Sequence, residues 1–182
     1  MHRGNGIRRF FFLYYTMRQK TRFEIRPAGP PDTSLVLTFI RELAEYEKLT
    51  DEVIATEEGL RRALFDDPPA AHALLGYEGD IPVCFAVYFY HFSTFAGQKG
   101  LYLEDLFVRP EYRGRGFGKA MLRYLAGIAG KERCARFEWA VLDWNRPAIR
   151  FYRKLGAVAM DDWTVYRLSG KALNRLAGPE PL

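Results

Sequence analysis

The segment Val108-Arg109-Pro110-Glu111-Tyr112-Arg113-Gly114-Arg115-Gly116-Phe117-Gly118-Lys119 constrains this chain more than any other. It follows an apolar, strand-like run from Leu101 to Val108 and opens a helix-like run from Lys119 to Ala129. Glycine at every second position lets the backbone turn tightly and approach a ligand, because no Cβ stands in the way. The N–H groups of such a turn converge on a helix N-terminus, where partial positive charge favours an anion. Arg113 and Arg115 add full charges beside that nest. The segment reads as a diphosphate cradle or, more plainly, as a strand-to-helix turn. It is neither the dinucleotide fingerprint, whose last gap is wider, nor a P-loop, which closes on Gly-Lys-Ser/Thr.

A length of 182 residues has room for one domain with a full core, or for a domain with an extension. The first 22 residues carry six basic side chains and no acid, whereas the rest holds 21 basic and 22 acidic residues. The net charge of +5 therefore belongs to a tail and gives no reason to propose nucleic-acid binding. That tail, 1–22, reads as a poorly ordered leader, with Met17 as a candidate true start. Its apolar run Phe10 to Tyr15 is too short for a signal peptide. No stretch approaches the roughly 20 apolar residues of a membrane span. Two cysteines, Cys84 in an apolar run and Cys134 between Arg133 and Ala135, read as reduced thiols of a cytoplasmic protein, not as a disulfide framework. His2, His72 and His91 have no metal-ligand spacing, so no metal is expected.

Along the chain, Phe23 to Arg26 alternates like a strand, and Asp32-Thr33-Ser34 can cap a helix running to about Tyr46. On that helix Val36, Ile40, Leu43 and Glu47 share one face, so a charge continues an apolar stripe. A second helix starts at Thr56. Ala73 to Tyr77 and Val83 to Phe92 read as a hairpin, and Leu101 to Val108, Arg136 to Leu142 and Trp163 to Leu168 as further strands. Asn145-Arg146-Pro147 opens a short helix that Gly156 closes, and Lys171 to Leu176 is helical. The pattern is one mixed α/β domain, 23–177, with a tail at 178–182.

Two segments carry chemistry. Leu101 to Val108 places Glu104 and Asp105 inside an apolar strand, where acids are disfavoured. Neighbours in a strand point to opposite faces unless a bulge intervenes. Asp105 reads equally as a structural ion; a Glu104 carboxylate in a partly apolar cleft would be raised toward the range of a useful base. In the second segment, Asn145 to Ala157, the Tyr152 phenol (pKa about 10) is closely matched to a leaving thiolate (about 8.5), so it can act as a general acid.

The Arg-x-x-Gly-x-Gly loop resembles that of the GCN5-related (GNAT) N-acetyltransferases. Ile25-Arg26-Pro27-Ala28, Arg41 to Glu47, Tyr102 to Asp105, Trp144-Asn145 and Phe151-Tyr152, in that order, are similar to the spermidine/spermine (diamine) acetyltransferase branch. The resemblance covers roughly Phe23 to Leu176. It implies the GNAT acyl-CoA N-acyltransferase fold, a central mixed, mostly antiparallel sheet flanked by helices. It also implies acetyl-CoA as co-substrate and a homodimer.

By that resemblance Leu106, Phe107 and Val108 hold the acetyl and pantetheine arm. Arg113, Gly114, Arg115, Gly116, Phe117, Gly118 and Lys119 hold the pyrophosphate, and Asn145, Arg146, Pro147, Ala148 and Tyr152 hold the thiol end. Tyr152 is the general acid and Glu104 takes the amine proton. Tyr46, Glu47, Glu104 and Asp105 meet a cationic acceptor, and Glu138, Trp139 and Ala140 form the opposite wall. The segments 93–99 and 158–163 carry fewer acids than their polyamine-enzyme counterparts, which points to a diamine or a thialysine-like amine. Acetylation of a protein or peptide amine, or acyl-CoA binding without catalysis, are the rival readings.

Overall fold

A computed structural model describes residues 22–178. The basic extension read at 1–22, Met17 included, lies outside the described residues apart from Arg22, as do residues 179–182. The chain divides into two compact units, with the boundary between Ala140 and Val141.

The first unit holds β1 (Phe23–Pro27), α1 (Thr33–Glu47), α2 (Glu57–Phe65), β2 (His72–Glu78), β3 (Ile81–Ser93), β4 (Gln98–Val108), α3 (Phe117–Lys131) and β5 (Phe137–Trp139). The strands form one sheet in the order β1-β2-β3-β4-β5, antiparallel throughout except for the parallel pair β4–β5. This is the mixed, mostly antiparallel sheet that the sequence implied. The Thr56 hydroxyl caps α2 by accepting from the Gly59 N–H at 3.1 Å.

Helices cover both faces. On one, Val36, Phe39 and Leu43 of α1 and Leu64 of α2 pack on Ala73, Leu75, Phe85, Val87 and Phe107. Phe39 and Phe85 are fully buried and stack at 5.2 Å. Each side chain of this size contributes about 1.5–3 kcal/mol by leaving water. On the other face α3 packs on β1, β3 and β4. An arginine clasp ties α1 to the exit of β4: Arg109 reaches Glu42 through two bonds (2.8 and 2.7 Å), donates to the Pro82 carbonyl at 2.7 Å, and lies over the Phe39 ring.

The feature that positions the site is a bulge in β4. Val87 pairs with Asp105 but Tyr88 pairs with Leu103, so Glu104 is the extra residue. Before it, Leu103 opposes Tyr88 on the α3 side; after it, Asp105 and Phe107 oppose Val87 and Phe85 on the α1 side. The alternation is reset, and Glu104 and Asp105 both turn toward α1.

In the second unit, α4 (Arg146–Lys154) and α5 (Gly170–Ala177) flank a segment without helix or strand. The strand read at Trp163 to Leu168 is therefore not formed. Its alternation is real, but a strand needs a neighbour for its backbone groups. Among the described residues it pairs with none, and Trp163, Val165 and Tyr166 stay exposed. The strand read at Arg136 to Leu142 is likewise shortened to Phe137–Trp139.

Candidate active site

On the anion-binding side, β4 leads through Arg109 and a short 3-10 turn, Pro110–Tyr112, into the glycine loop. Gly114 and Gly116 have φ of +77° and +90°, a region side-chain-bearing residues avoid. Both face open space: a Cβ built on either meets nothing within 4 Å. Gly116 is the N-cap of α3 and supplies no side-chain cap. The first bond of the helix runs from the Ala120 N–H to the Gly116 carbonyl at 2.9 Å. The N–H groups of Phe117, Gly118 and Lys119 thus sit at the positive end of α3. Phe117 offers only its backbone there, because its buried ring stacks on Phe23 at 4.3 Å.

The loop arginines are engaged elsewhere. Arg115 pairs with Glu78 at 2.9 Å and lies over the Tyr112 ring. Arg113 donates through Nε to the Val108 carbonyl at 2.9 Å, and its guanidinium rests on the rings of Tyr46 (4.3 Å) and Phe107 (5.5 Å). Beside the loop, β4 and β5 pair only over Leu101–Phe137, Tyr102–Glu138 and Leu103–Trp139. Past that point, among the described residues, Leu106, Phe107 and Val108 of β4 pair with no residue of β5.

On the acid-lined side, Glu47 ends α1 where Lys48 turns into the left-handed region at φ +61°. Burial raises the Glu47 carboxyl above its usual value. Asp105 is raised further, to about 6, first by burial and then by the fields of Glu104 and Glu47. Glu104 is exposed. Burial falls on Asp105 because the bulge turns both acids toward α1 and leaves the extra residue outermost. Tyr46 stands 6.3 Å from Phe107, at an open groove of about 400 Å³ that Glu42, Glu45, Phe107 and Arg109 also line. On β5, Glu138 receives Arg136 Nε at 2.7 Å and lies 3.1 Å from His91 Nε2. The Trp139 ring stands 5.0 Å from that of Phe137, and Ala140 follows, exposed.

In the second unit the Asn145 side chain caps α4, accepting from the Ala148 N–H at 3.3 Å, with Arg146 and Pro147 in the first turn. The Tyr152 ring stands 5.4 Å from Phe151 on the same helix.

The sheet thus brings Glu47, Glu104 and Asp105 together, and sets the glycine loop at the end of the same strand. Sequence reasoning missed the raised Asp105, which no local signal marks because a bulge is written in the pairing of two strands. It also missed His91 and Arg136 as the partners of Glu138. The strands they lie on or beside were readable, but the register between those strands was not.

The acetyltransferase (GNAT) family matches residues 38–157. Thialysine N-epsilon-acetyltransferase of Sus scrofa is 39% identical over 165 residues, spanning 85% of this chain and 96% of that protein. L-ornithine N5-acetyltransferase of Arabidopsis thaliana is 30% identical, spanning 84% of this chain and 86% of that one. Among solved structures, an integron cassette protein from the mobile metagenome of Vibrio cholerae superposes with a TM-score of 0.72 at 30% identity, covering 86% of this chain and 98% of its own. The fold and site define an acyl-transferring α/β enzyme. The chain belongs to the GNAT acetyltransferase family, in its diamine acetyltransferase-like branch.

Members of this family use acetyl-CoA as co-substrate. The residues present fit it: the loop glycines leave backbone room that a Cβ would fill, and the start of α3 carries no side-chain cap. No group of His, Cys, Asp and Glu able to hold a metal occurs among the described residues.

Proposed function

We propose that the enzyme transfers acetyl from acetyl-CoA to the primary amine of a small cationic acceptor, a diamine, polyamine or thialysine-like amine, by direct attack in a ternary complex. The observation that carries this reading is the β4 bulge, which sets Glu104 and Asp105 on the Glu47 side of the sheet, on the strand that ends in the glycine loop. A primary ammonium of pKa about 10 is protonated at neutral pH, so carboxylates must bind it and one must take its proton. The names of the thialysine and ornithine relatives support the same class.

In the proposed reaction Glu47, Asp105 and Tyr46 bind the acceptor, and Glu104 removes its proton through water. The amine nitrogen then forms its bond to the thioester carbon. A backbone N–H at Phe107 or Val108 meets the developing negative charge on the carbonyl oxygen. As the C–S bond breaks, Tyr152 gives its proton to the thiolate, and the second proton of the acylated nitrogen returns to the phenolate. Leu106 to Val108 hold the acyl arm, Arg113 to Lys119 the pyrophosphate and Asn145 to Ala148 the thiol end. Glu138, Trp139 and Ala140 form the far wall.

One transferase domain spans 23–177 in this proposal, supported by a family match that crosses both compact units. The working form is a homodimer in the cytoplasm. The exposed Trp163, Val165 and Tyr166 support the dimer, and the two free cysteines support a reducing compartment. No helix among the described residues is long and apolar enough to cross a membrane.

The test is release of CoA thiol over a panel of amines. Tyr152→Phe and Glu104→Gln should each lower kcat by about a hundredfold, the usual scale of acid–base catalysis. Full kcat in both variants at every pH would sink the mechanism.

A further inference from the structure

The α1 side of the sheet does not end at the acids. Beyond Val87 and Asp105 the side chains pass from buried to half-buried: Phe89 and His91 on β3, Tyr102 on β4 and Glu138 on β5. Phe89 and Tyr102 form an aromatic floor at 5.2 Å, and the His91 ring stands edge-on to Tyr102 at 6.0 Å. Burial raises the Tyr102 phenol, and the fields of Glu104 and then Glu138 raise it further, which puts Tyr102 between the two acids. Tyr102 pairs directly with Glu138, and Glu104 lies two residues farther along β4. With about 3.3 Å per residue and about 4.8 Å between strands, the diagonal from Glu104 to Glu138 is roughly 8 Å. That is the reach of a lysine-like side chain.

The far end carries both signs of charge. Arg136 and His91 approach the same oxygen of Glu138, Oε2, at 2.7 and 3.1 Å, so Oε1 can still accept from a donor. Arg136 reaches Glu138 through Nε, and its side chain is 45% exposed, so a second acid can approach the guanidinium. His91 Nε2 is buried and makes no aligned hydrogen bond. Gly100 makes room for that ring, since a Cβ at 100 would collide with the imidazole. A second ammonium, such as a polyamine offers, would meet a carboxylate already compensated by a guanidinium. An α-amino acid head presents an ammonium to Glu138 and a carboxylate to Arg136.

Resting on the acetyl-transfer reading above, we infer that His91, Arg136 and Glu138 form a head-group subsite for the α-amino-carboxylate of an acceptor whose distal amine is acetylated, with Arg136 as the selecting residue. The carboxylate takes the terminal nitrogens of Arg136, and the α-ammonium takes Glu138. The aromatic floor carries the methylenes between head and reacting amine.

The experiment compares L-lysine with cadaverine and L-ornithine with putrescine, pairs that differ by the carboxylate alone. It measures kcat/KM in the wild type, Arg136→Gln and Arg136→Lys, with thermal midpoints to follow folding. The wild type should prefer the amino acid. In Arg136→Gln the amino-acid-to-diamine ratio should fall about tenfold or more, the scale of a lost charge-assisted bond, and Arg136→Lys should fall between. An unchanged ratio in both variants overturns the subsite. A wild type that acetylates diamines and rejects the amino acids also overturns it while leaving the acetyl-transfer reading intact. Acetyl-CoA binding without turnover of any amine overturns both.

Discussion

The two sides of the site are built from different material. The anion-binding side is backbone: two glycines at positive φ, the first turn of α3 without a side-chain cap and the stretch of β4 beyond its pairing with β5. Its named arginines are occupied, Arg115 with Glu78 and Arg113 with Val108 and two aromatic rings. The acid-lined side is side chain: Glu47, Glu104 and Asp105, gathered by one bulge. A backbone cradle is tied to the local conformation of one short segment, whereas an acid cluster drawn from two elements depends on register. The first tolerates changes of charge and fails on changes of shape. For the second the reverse holds.

That contrast can be broken by mutation. Gly116→Val forces a branched side chain into φ +90° at the mouth of the cradle. Misplacing the turn should cost about a hundredfold in kcat/KM for acetyl-CoA, with the amine KM little changed. If the amine KM moves as far, the two sides are not separate.

Asp105→Asn should lower kcat/KM for the amine by about tenfold, the scale of a lost charge-assisted bond. The acid limb of the wild-type profile, falling as pH drops through about 6 where Asp105 gains its proton, should vanish with it. Stability should move the opposite way. With the carboxyl held above its ordinary 3.8, the folded protein binds the proton more tightly than the unfolded chain does. This group's contribution therefore declines as pH rises from about 4 to about 6 and is least favourable above that. At pH 7 the variant should gain on the order of 1–3 kcal/mol in urea unfolding, a gain that fades below pH about 4. A variant that loses both activity and stability would make Asp105 a structural ion.

Arg115→Gln should have the smallest effect, about a threefold rise in the acetyl-CoA KM at low salt that disappears near 1 M salt, where screening acts within about 3 Å. A larger, salt-independent loss would move that side chain into the cradle.

The same division governs what could be read from the chain. Gly114 and Gly116 announce their conformation, and Asn145 announces its cap, because the cause lies within a few residues of the effect. Glu47 was legible as a charge on an apolar stripe, and it is half-buried at the end of that stripe. Glu104 and Asp105 were visible as misfits, but their common face comes from an extra residue counted against β3. His91 lies on β3, Glu138 on β5 and Arg136 just before β5, about 45 residues from His91, and they meet only across β4. The segment 163–168 shows the limit from the other side: a strand-like pattern specifies a conformation, not the edge that receives it.

The stack of Phe23 on Phe117 gives the outermost strand a duty unlike that of its neighbours. Gly76 lacks a side chain where the Phe23 ring and the Cys84 sulfur close in, so the ring has a fitted berth beneath the first turn of α3. β1 is thus a brace for the phosphate end of the site. Trimming the chain past Phe23 would leave a fragment with its acids in place and its cradle unsupported, so any shortened or fused version should begin upstream of that residue.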